Sequence, residues 1–131
     1  MSVHLRGVKP KTQPNKDALT KAPTVPEYFS TYAAVEWKRI MPRLIKDRVL
    51  TKADLAGVEH YCLMIGVVRE IETNRRLNSQ DIDPKLFGVQ NRAAQTARQL
   101  AAEYGLSPVS RSRIGSGADD QADDDNPLNV R

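Results

Sequence analysis

Cysteine and histidine are scarce in this chain. Its 131 residues include one cysteine, Cys62, and two histidines, His4 and His60. A single thiol cannot form a disulfide within one chain, and these three side chains cannot supply the four ligands of an ordinary zinc site. The sequence therefore predicts no disulfide framework and no metal site, and it indicates a reducing compartment.

Long apolar runs and catalytic motifs are missing as well. No stretch approaches the roughly 18 apolar residues that predict a membrane span, and residues 1–25 lack the hydrophobic core of a secretion signal. A phosphate-binding GxxxxGK[ST] loop, a dinucleotide fingerprint and a Ser/His/Asp or paired-carboxylate arrangement are absent too. We expect a soluble intracellular protein that does not contact membranes, needs no cofactor and is not an enzyme by itself.

Charge is abundant, and it is unevenly placed. Residues 1–25 carry five Lys/Arg against one Asp, residues 26–115 fourteen against ten acidic residues, and residues 116–131 one against five. We interpret this as a disordered basic arm, a folded domain and a disordered acidic tail, because both ends have too few large apolar residues to fold alone. The alternative is that the charged ends only keep the chain in solution. The arm lysines suited to a phosphate backbone are Lys9, Lys11, Lys16 and Lys21.

The segment from Thr51 to Arg76 predicts a long helix around which the domain is built. Thr51 is suited to cap it by accepting a hydrogen bond from the backbone N–H of Asp54. Two apolar rows follow at helical spacing, and together they are too wide for one neighbouring helix. We therefore predict that this helix is covered from two directions, by its own chain and by other copies. The rows contain Leu55, Val58, Cys62, Ile65 and Val68, and Met64, Val67 and Ile71.

A shorter helix is predicted before it, with Ser30 as its cap. Its core-facing side is expected to carry Tyr32, Val35, Trp37, Ile40 and Met41, and its outer side Glu36, Lys38 and Arg39. Because proline lacks the backbone donor, Pro42 is predicted to open a separate short helix to Lys46. The resulting order of helix, break, short helix, turn and long helix is the outline of a helix-turn-helix.

Basic residues are most concentrated around this turn, and we predict that they contact DNA phosphates. A solvated surface that binds nothing is the alternative, since Glu36 and Asp47 partly neutralise it. The basic residues in this group are Lys38, Arg39, Arg43, Lys46, Arg48 and Lys52.

The second half of the domain predicts an antiparallel helical hairpin. Residues 78–83 form its loop, Asp83 and Pro84 start the next helix, and Gly105 ends it after Tyr104. Small residues along this helix predict close packing on the long helix. Pro108 is predicted to open one further short helix, which carries Arg111 and Arg113. The residues predicted to mediate oligomerisation are Val58, Cys62, Ile65, Val68, Ile71, Ala97 and Leu100.

Five short motifs follow one another in a recognisable order. They are Glu36-Trp37, Pro42-Arg43-Leu44, Leu50-Thr51 with Asp54, His60-Tyr61-Cys62 and Gly105-Leu106-Ser107-Pro108-x-Ser110-Arg111-x-Arg113-Ile114. This order resembles the small terminase subunits of tailed bacteriophages, in the group that includes the lambdoid phage HK97. The similarity spans roughly residues 26–114, and its most specific part is the last motif. One departure is that relatives commonly have a glycine before Leu50-Thr51, where this chain has Asp47-Arg48-Val49.

The resemblance implies an all-α protein that assembles into a ring, binds double-stranded viral DNA and delivers it to the large terminase subunit, the ATPase and nuclease. It also implies a location in the host cytoplasm during assembly rather than in the mature virion. The acidic tail is then a candidate docking segment for the large subunit or the portal. Two other hypotheses remain from the residues alone: a dimeric helix-turn-helix transcriptional regulator and a protein-interaction adaptor whose charge is incidental.

Overall fold

The structure is a computed structural model that describes residues 16–78 and 81–107. Within these residues it contains three helices and no strand: α1 (Thr31–Lys46), α2 (Leu55–Leu77) and α3 (Pro84–Glu103). A 3-10 turn, Lys52–Asp54, leads into α2, which lies between α1 and α3 and packs on both. The predicted all-helical class is confirmed. The predictions for Lys9, Lys11, the acidic tail and the helix after Pro108 lie outside the described residues.

The helix ends are where the local sequence signals predict them. The Ser30 hydroxyl accepts a hydrogen bond from the Ala33 N–H at 3.2 Å, and the Asp83 carboxylate accepts one from the Lys85 N–H at 2.9 Å. Gly105 follows α3 with a φ of 71°, the left-handed conformation that glycine adopts without strain. Thr51 and Asp54 form a capping box at the start of the 3-10 turn, and the Thr51 N–H and hydroxyl both donate to the Asp54 carboxylate at 2.9 Å.

Pro42 lies inside α1, and the predicted separate helix from Pro42 to Lys46 is wrong. Pro42 is on the exposed side of α1, where the carbonyl that loses its partner faces water. Met41 and Leu44 on the opposite side are both buried in the core. Burial of these apolar side chains on either side of the proline keeps the helix continuous to Lys46.

The apolar face of α1 is also rotated relative to the prediction. Glu36 was expected outside and has no exposed surface, whereas Val35 was expected in the core and is 55 % exposed. Glu36 follows the buried Ala33 by three residues and precedes the buried Ile40 by four, so it lies on the face that packs against α2. The helices approach closely there, since a Cβ atom at Gly66 would lie 3.1 Å from the Ala33 nitrogen.

The folded unit begins before residue 26, which corrects the predicted boundary of the arm. Ala18 is buried, and the Leu19 N–H donates to the Leu50 carbonyl at 2.7 Å. The Trp37 indole N–H donates to the Pro23 carbonyl at 3.2 Å. Leu19 and Val25 pack against the core beside Trp37 and Leu50. This segment has few large apolar residues. Because they pack on the surface of the folded helices, they bury enough apolar area to order residues 18–25.

Candidate nucleic-acid interface

The basic residues of α1 lie on its solvent-facing side. At 100° per residue, Lys38, Arg39, Arg43 and Lys46 span an arc of about 140°. The middle of this arc is opposite Trp37 and Leu44, which are buried. All four basic residues are exposed, so α1 presents one cationic face along its C-terminal half.

The turn after α1 adds two further cations. The Asp47 N–H donates to the Arg43 carbonyl at 2.9 Å and the Arg48 N–H to the Ile45 carbonyl at 3.1 Å. Arg48 has a φ of 57°, and it is the one described residue other than glycine with a positive φ. Glycine adopts this left-handed conformation without strain, whereas a residue with a Cβ atom such as Arg48 adopts it at a cost. Lys52 stands at the start of the 3-10 turn, so Lys46, Arg48 and Lys52 are exposed around one short connection, the α1–α2 corner.

Some of these cations are already paired within the chain. Arg39 binds the Glu36 carboxylate, and Arg43 Nε lies 3.5 Å from Asp47 Oδ2. Lys38, Lys46, Arg48 and Lys52 form no ion pair with another described residue. These four side chains are therefore available to phosphate without first breaking an internal pair. Arg39 and Arg43 are exposed and remain at the edge of the same surface.

Glu36 forms a buried ion cluster that sequence reasoning missed. Arg69 Nη2 on α2 lies 3.2 Å from Glu36 Oε2, and Arg39 Nε lies 3.2 Å from the same oxygen. Both arginines are partly exposed, and the hydrogen bond that Arg39 donates to the Glu36 carboxylate raises the pKa of Arg39. One carboxylate thus holds two cations and fixes α1 against α2. The signal for burial was the phase of Glu36 with Ala33 and Ile40, but the contact with Arg69 spans 33 residues and has no local signature.

The root of the basic arm is attached to the α1–α2 corner. Leu19 is hydrogen-bonded to Leu50 in the turn, and Lys16 and Lys21 beside it are exposed. Lys11 precedes Leu19 by eight residues, and an extended chain of this length reaches at most about 28 Å. The described lysines of the arm, Lys16 and Lys21, are therefore held near the same corner.

The residues predicted to mediate oligomerisation fall into two groups. Val58, Cys62 and Ala97 are buried inside the single chain, because α1 and α3 cover these positions, so they are not available to another copy in this fold. Ile65, Val68, Ile71 and Leu100 are half-buried and keep part of their surface free. Over the first half of α2, the two apolar rows are therefore covered by helices of the same chain.

No reactive centre is found in the described residues. Cys62 lies in the core, and burial, followed by the nearby Glu36 charge, raises the pKa of its thiol to about 12, so the thiol is protonated and inert at neutral pH. His60 is exposed on α2. Residues 16–78 and 81–107 contain no group of three metal-ligating side chains, and none of their helices is long and apolar enough to cross a membrane.

Comparison with protein families identifies what this chain is similar to. The family model described as "Phage terminase, small subunit" matches residues 33–121, which is more than half of the chain. The chain belongs to the phage terminase small subunit family. Neither curated proteins nor solved structures gave a match.

The family assignment confirms the resemblance and defines what kind of protein this is. Phage terminase small subunits act in viral DNA packaging and are not catalytic. The matched region contains nearly all of α1 and the whole of the corner, α2 and α3. The packed residues 18–25, which anchor the arm, precede it.

Proposed function

We propose that this terminase small subunit binds double-stranded viral DNA through the α1–α2 corner and the basic arm, as a homo-oligomeric ring, and delivers the DNA to the large terminase subunit. The observation that carries the proposal is the group of unpaired cations around the corner, together with the attachment of the arm root to Leu50. Acidic residues 116–131 are the candidate segment for docking the large subunit or the portal.

Phosphate contacts account for the DNA affinity in this proposal. Lysine and arginine side chains that neutralise phosphates release condensed counterions, so binding weakens steeply as salt rises. Lys46, Arg48 and Lys52 meet the phosphates from the rigid corner, and Lys9, Lys11, Lys16 and Lys21 follow the backbone from the arm. The corner fixes the register of the protein on DNA, while the arm adds reach.

The proposed ring is supported by the family and by the part of the α2 surface that the rest of the chain leaves uncovered. Ile65, Val68 and Ile71 are apolar and half-buried in a single chain. A second copy that covers them would bury apolar area at about 25 cal/mol per Å². The contacts that close such a ring must join two different surfaces of the same chain.

Two lysines at the corner provide the test. We expect Lys46→Gln/Lys52→Gln to weaken binding to double-stranded DNA and to reduce the slope of log K against log salt by about 2, since each lost phosphate contact removes about 0.9. The matched control is Arg92→Gln/Arg98→Gln, which removes the same charge from exposed positions on α3. Filter binding at several salt concentrations measures both variants. Equal slopes for the two variants would show that only total charge matters and would refute the corner as the interface.

A further inference from the structure

The free end of the α2–α3 hairpin carries several exposed apolar side chains around a groove. We call residues 71–78 and 81–90 the hairpin tip. Ile71, Ile82, Leu86 and Phe87 line a groove of about 280 Å³ there. Large apolar side chains that stay exposed at or beside this groove are Leu77, Ile82, Leu86, Phe87 and Val89.

Among the described residues, no third element covers the hairpin tip. α1 packs on α2 around Gly66 and reaches Arg69 through the Glu36 ion pair. Beyond Arg69 the two hairpin helices contact each other, and the Gln90 side chain donates to the Glu72 carboxylate at 3.3 Å. An apolar patch of this kind on a soluble protein marks an interaction site.

The charge around the groove is negative. Its lining includes Glu72, Asp81 and Asp83 against one arginine, Arg75, which pairs with Glu72. Asp81 is exposed and forms no ion pair with a described residue. A symmetric contact of two hairpin tips would bring these acidic rims together, which like-charge repulsion disfavours.

Another described surface has an exposed apolar side chain beside a cation. Val35 on α1 is more than half exposed, whereas Tyr28, the other remaining large apolar side chain with that exposure, donates its hydroxyl to Glu59 on α2. Lys38 follows Val35 by one helical turn, is exposed, and has no ion-pair partner among the described residues. The outer side of α1 near its N-terminus, the Val35 face, thus offers an apolar centre beside a free cation.

We propose that the hairpin tip of one copy docks on the Val35 face of the next copy, with Asp81 against Lys38. The inference rests on the proposed ring and names its contact. The two surfaces differ, so the contact is heterologous and repeats from copy to copy, as ring closure requires. It leaves Lys46, Arg48 and Lys52 free for DNA and assigns Lys38 to the subunit interface rather than to phosphate.

A substitution at the centre of the patch tests the surface. We expect Phe87→Asp to reduce the mass of the full-length protein in solution, measured by light scattering behind a sizing column, from that of the wild-type assembly to one subunit. The control is Gln95→Asp, which adds the same charge at an exposed position on α3 and leaves the assembly intact. Far-UV circular dichroism of Phe87→Asp checks that the helices persist.

Cross-linking tests which two surfaces meet. We expect a mixture of Lys38→Cys and Asp81→Cys chains to form covalent dimers with a short bismaleimide, and the double variant to form a ladder longer than two subunits. Cys62 does not compete, because it is buried. Dimers from Asp81→Cys alone would establish a tip-to-tip contact and overturn the proposal.

The outcomes separate this inference from the proposed function. A wild-type ring that survives Phe87→Asp and gives no mixed cross-link would overturn the docking contact alone, and it would assign the patch to the large subunit or to residues 108–131. A wild-type protein of one or two subunits, with or without DNA, would overturn the ring itself. DNA retention by the corner is measured separately in each case.

Discussion

A single carboxylate determines how α1 and α2 are held together. Glu36 is fully buried, and its two arginine partners come from different helices. A buried carboxylate without a cation is costly, whereas a carboxylate with one remaining partner is not. Either Arg39 or Arg69 alone can therefore pair with Glu36. The loss in the free energy of unfolding should depend strongly on whether one or both are removed.

We predict a non-additive mutant cycle at this cluster. Arg39→Gln and Arg69→Gln should each lower the free energy of unfolding by less than about 1 kcal/mol, because the other arginine still pairs with Glu36 and both are partly exposed. The double variant leaves Glu36 buried and unpaired and should cost about 1–3 kcal/mol more than the sum of the two. Urea unfolding followed by circular dichroism measures all three. Additive losses would mean that Glu36 is solvated when its partners are gone.

At the scale of the element, α1 is a continuous helix that contains a proline. Pro42 removes one backbone donor on the exposed side while Met41 and Leu44 are buried on the other. The burial of these side chains therefore compensates for the missing backbone hydrogen bond. The missing hydrogen bond still lowers the free energy of unfolding, and a substitution of Pro42 can restore it.

We predict that Pro42→Ala stabilises the protein. Restoring a helix-interior donor is worth up to about 3 kcal/mol, and the greater freedom of the unfolded chain without proline offsets about 0.4–1 kcal/mol of this. A net gain of about 1–2 kcal/mol in the free energy of unfolding is expected from urea midpoints. Gln99→Ala, at an exposed position on α3, is the control and should change little. A loss on Pro42→Ala would show that Leu44 packs only when the helix bends at the proline.

The elements that were predicted correctly are those with local signals. Ser30, Asp83 with Pro84, and Gly105 mark helix ends through contacts within four residues, and the structure places the ends there. Pro42 does not break the helix, although proline has a low helix propensity, because burial in the tertiary structure outweighs this local preference. The face of α1 was misassigned because a charged residue was placed outside by type, whereas its partner Arg69 lies on another helix.

The candidate site was likewise predictable only in part. The cations of the α1–α2 corner are close in sequence and lie close in the structure, as expected. Which of them are free depends on contacts that the sequence does not show, such as the pairing of Arg39 with a buried Glu36. The burial of Val58 on α2 and of Ala97 on α3 within one chain was not visible in the sequence for the same reason, since it is a property of the assembled fold.

At the scale of the whole molecule, the arm divides at about residue 16 into a part that we propose binds DNA and a part that packs on the folded core. Residues 18–25 pack against Trp37 and Leu50, whereas the earlier residues carry Arg6, Lys9 and Lys11 without large apolar clusters. The two parts should respond differently to truncation.

We predict that deleting residues 1–15 weakens DNA binding and leaves stability unchanged. Loss of three cations should reduce the salt slope by up to about 2.7. Deleting residues 1–25 should in addition lower the free energy of unfolding by about 2–4 kcal/mol, because it uncovers apolar core surface and removes two hydrogen bonds. Filter binding and urea unfolding of both truncations provide the measurements. Equal stability of the two would mean that residues 18–25 do not support the core.

The hydrogen bond between Trp37 and Pro23 has an optical consequence. Trp37 is the only tryptophan, its indole N–H is held by Pro23, and its ring meets Phe29 edge-on at a centroid distance of 5.6 Å. The fluorescence emission of indole shifts to longer wavelength when the ring is exposed to water. The intrinsic fluorescence of the unlabelled protein therefore reports whether the arm root stays seated: a red shift on adding DNA signals that residues 18–25 have lifted off, and a constant spectrum signals that only the residues before them have moved.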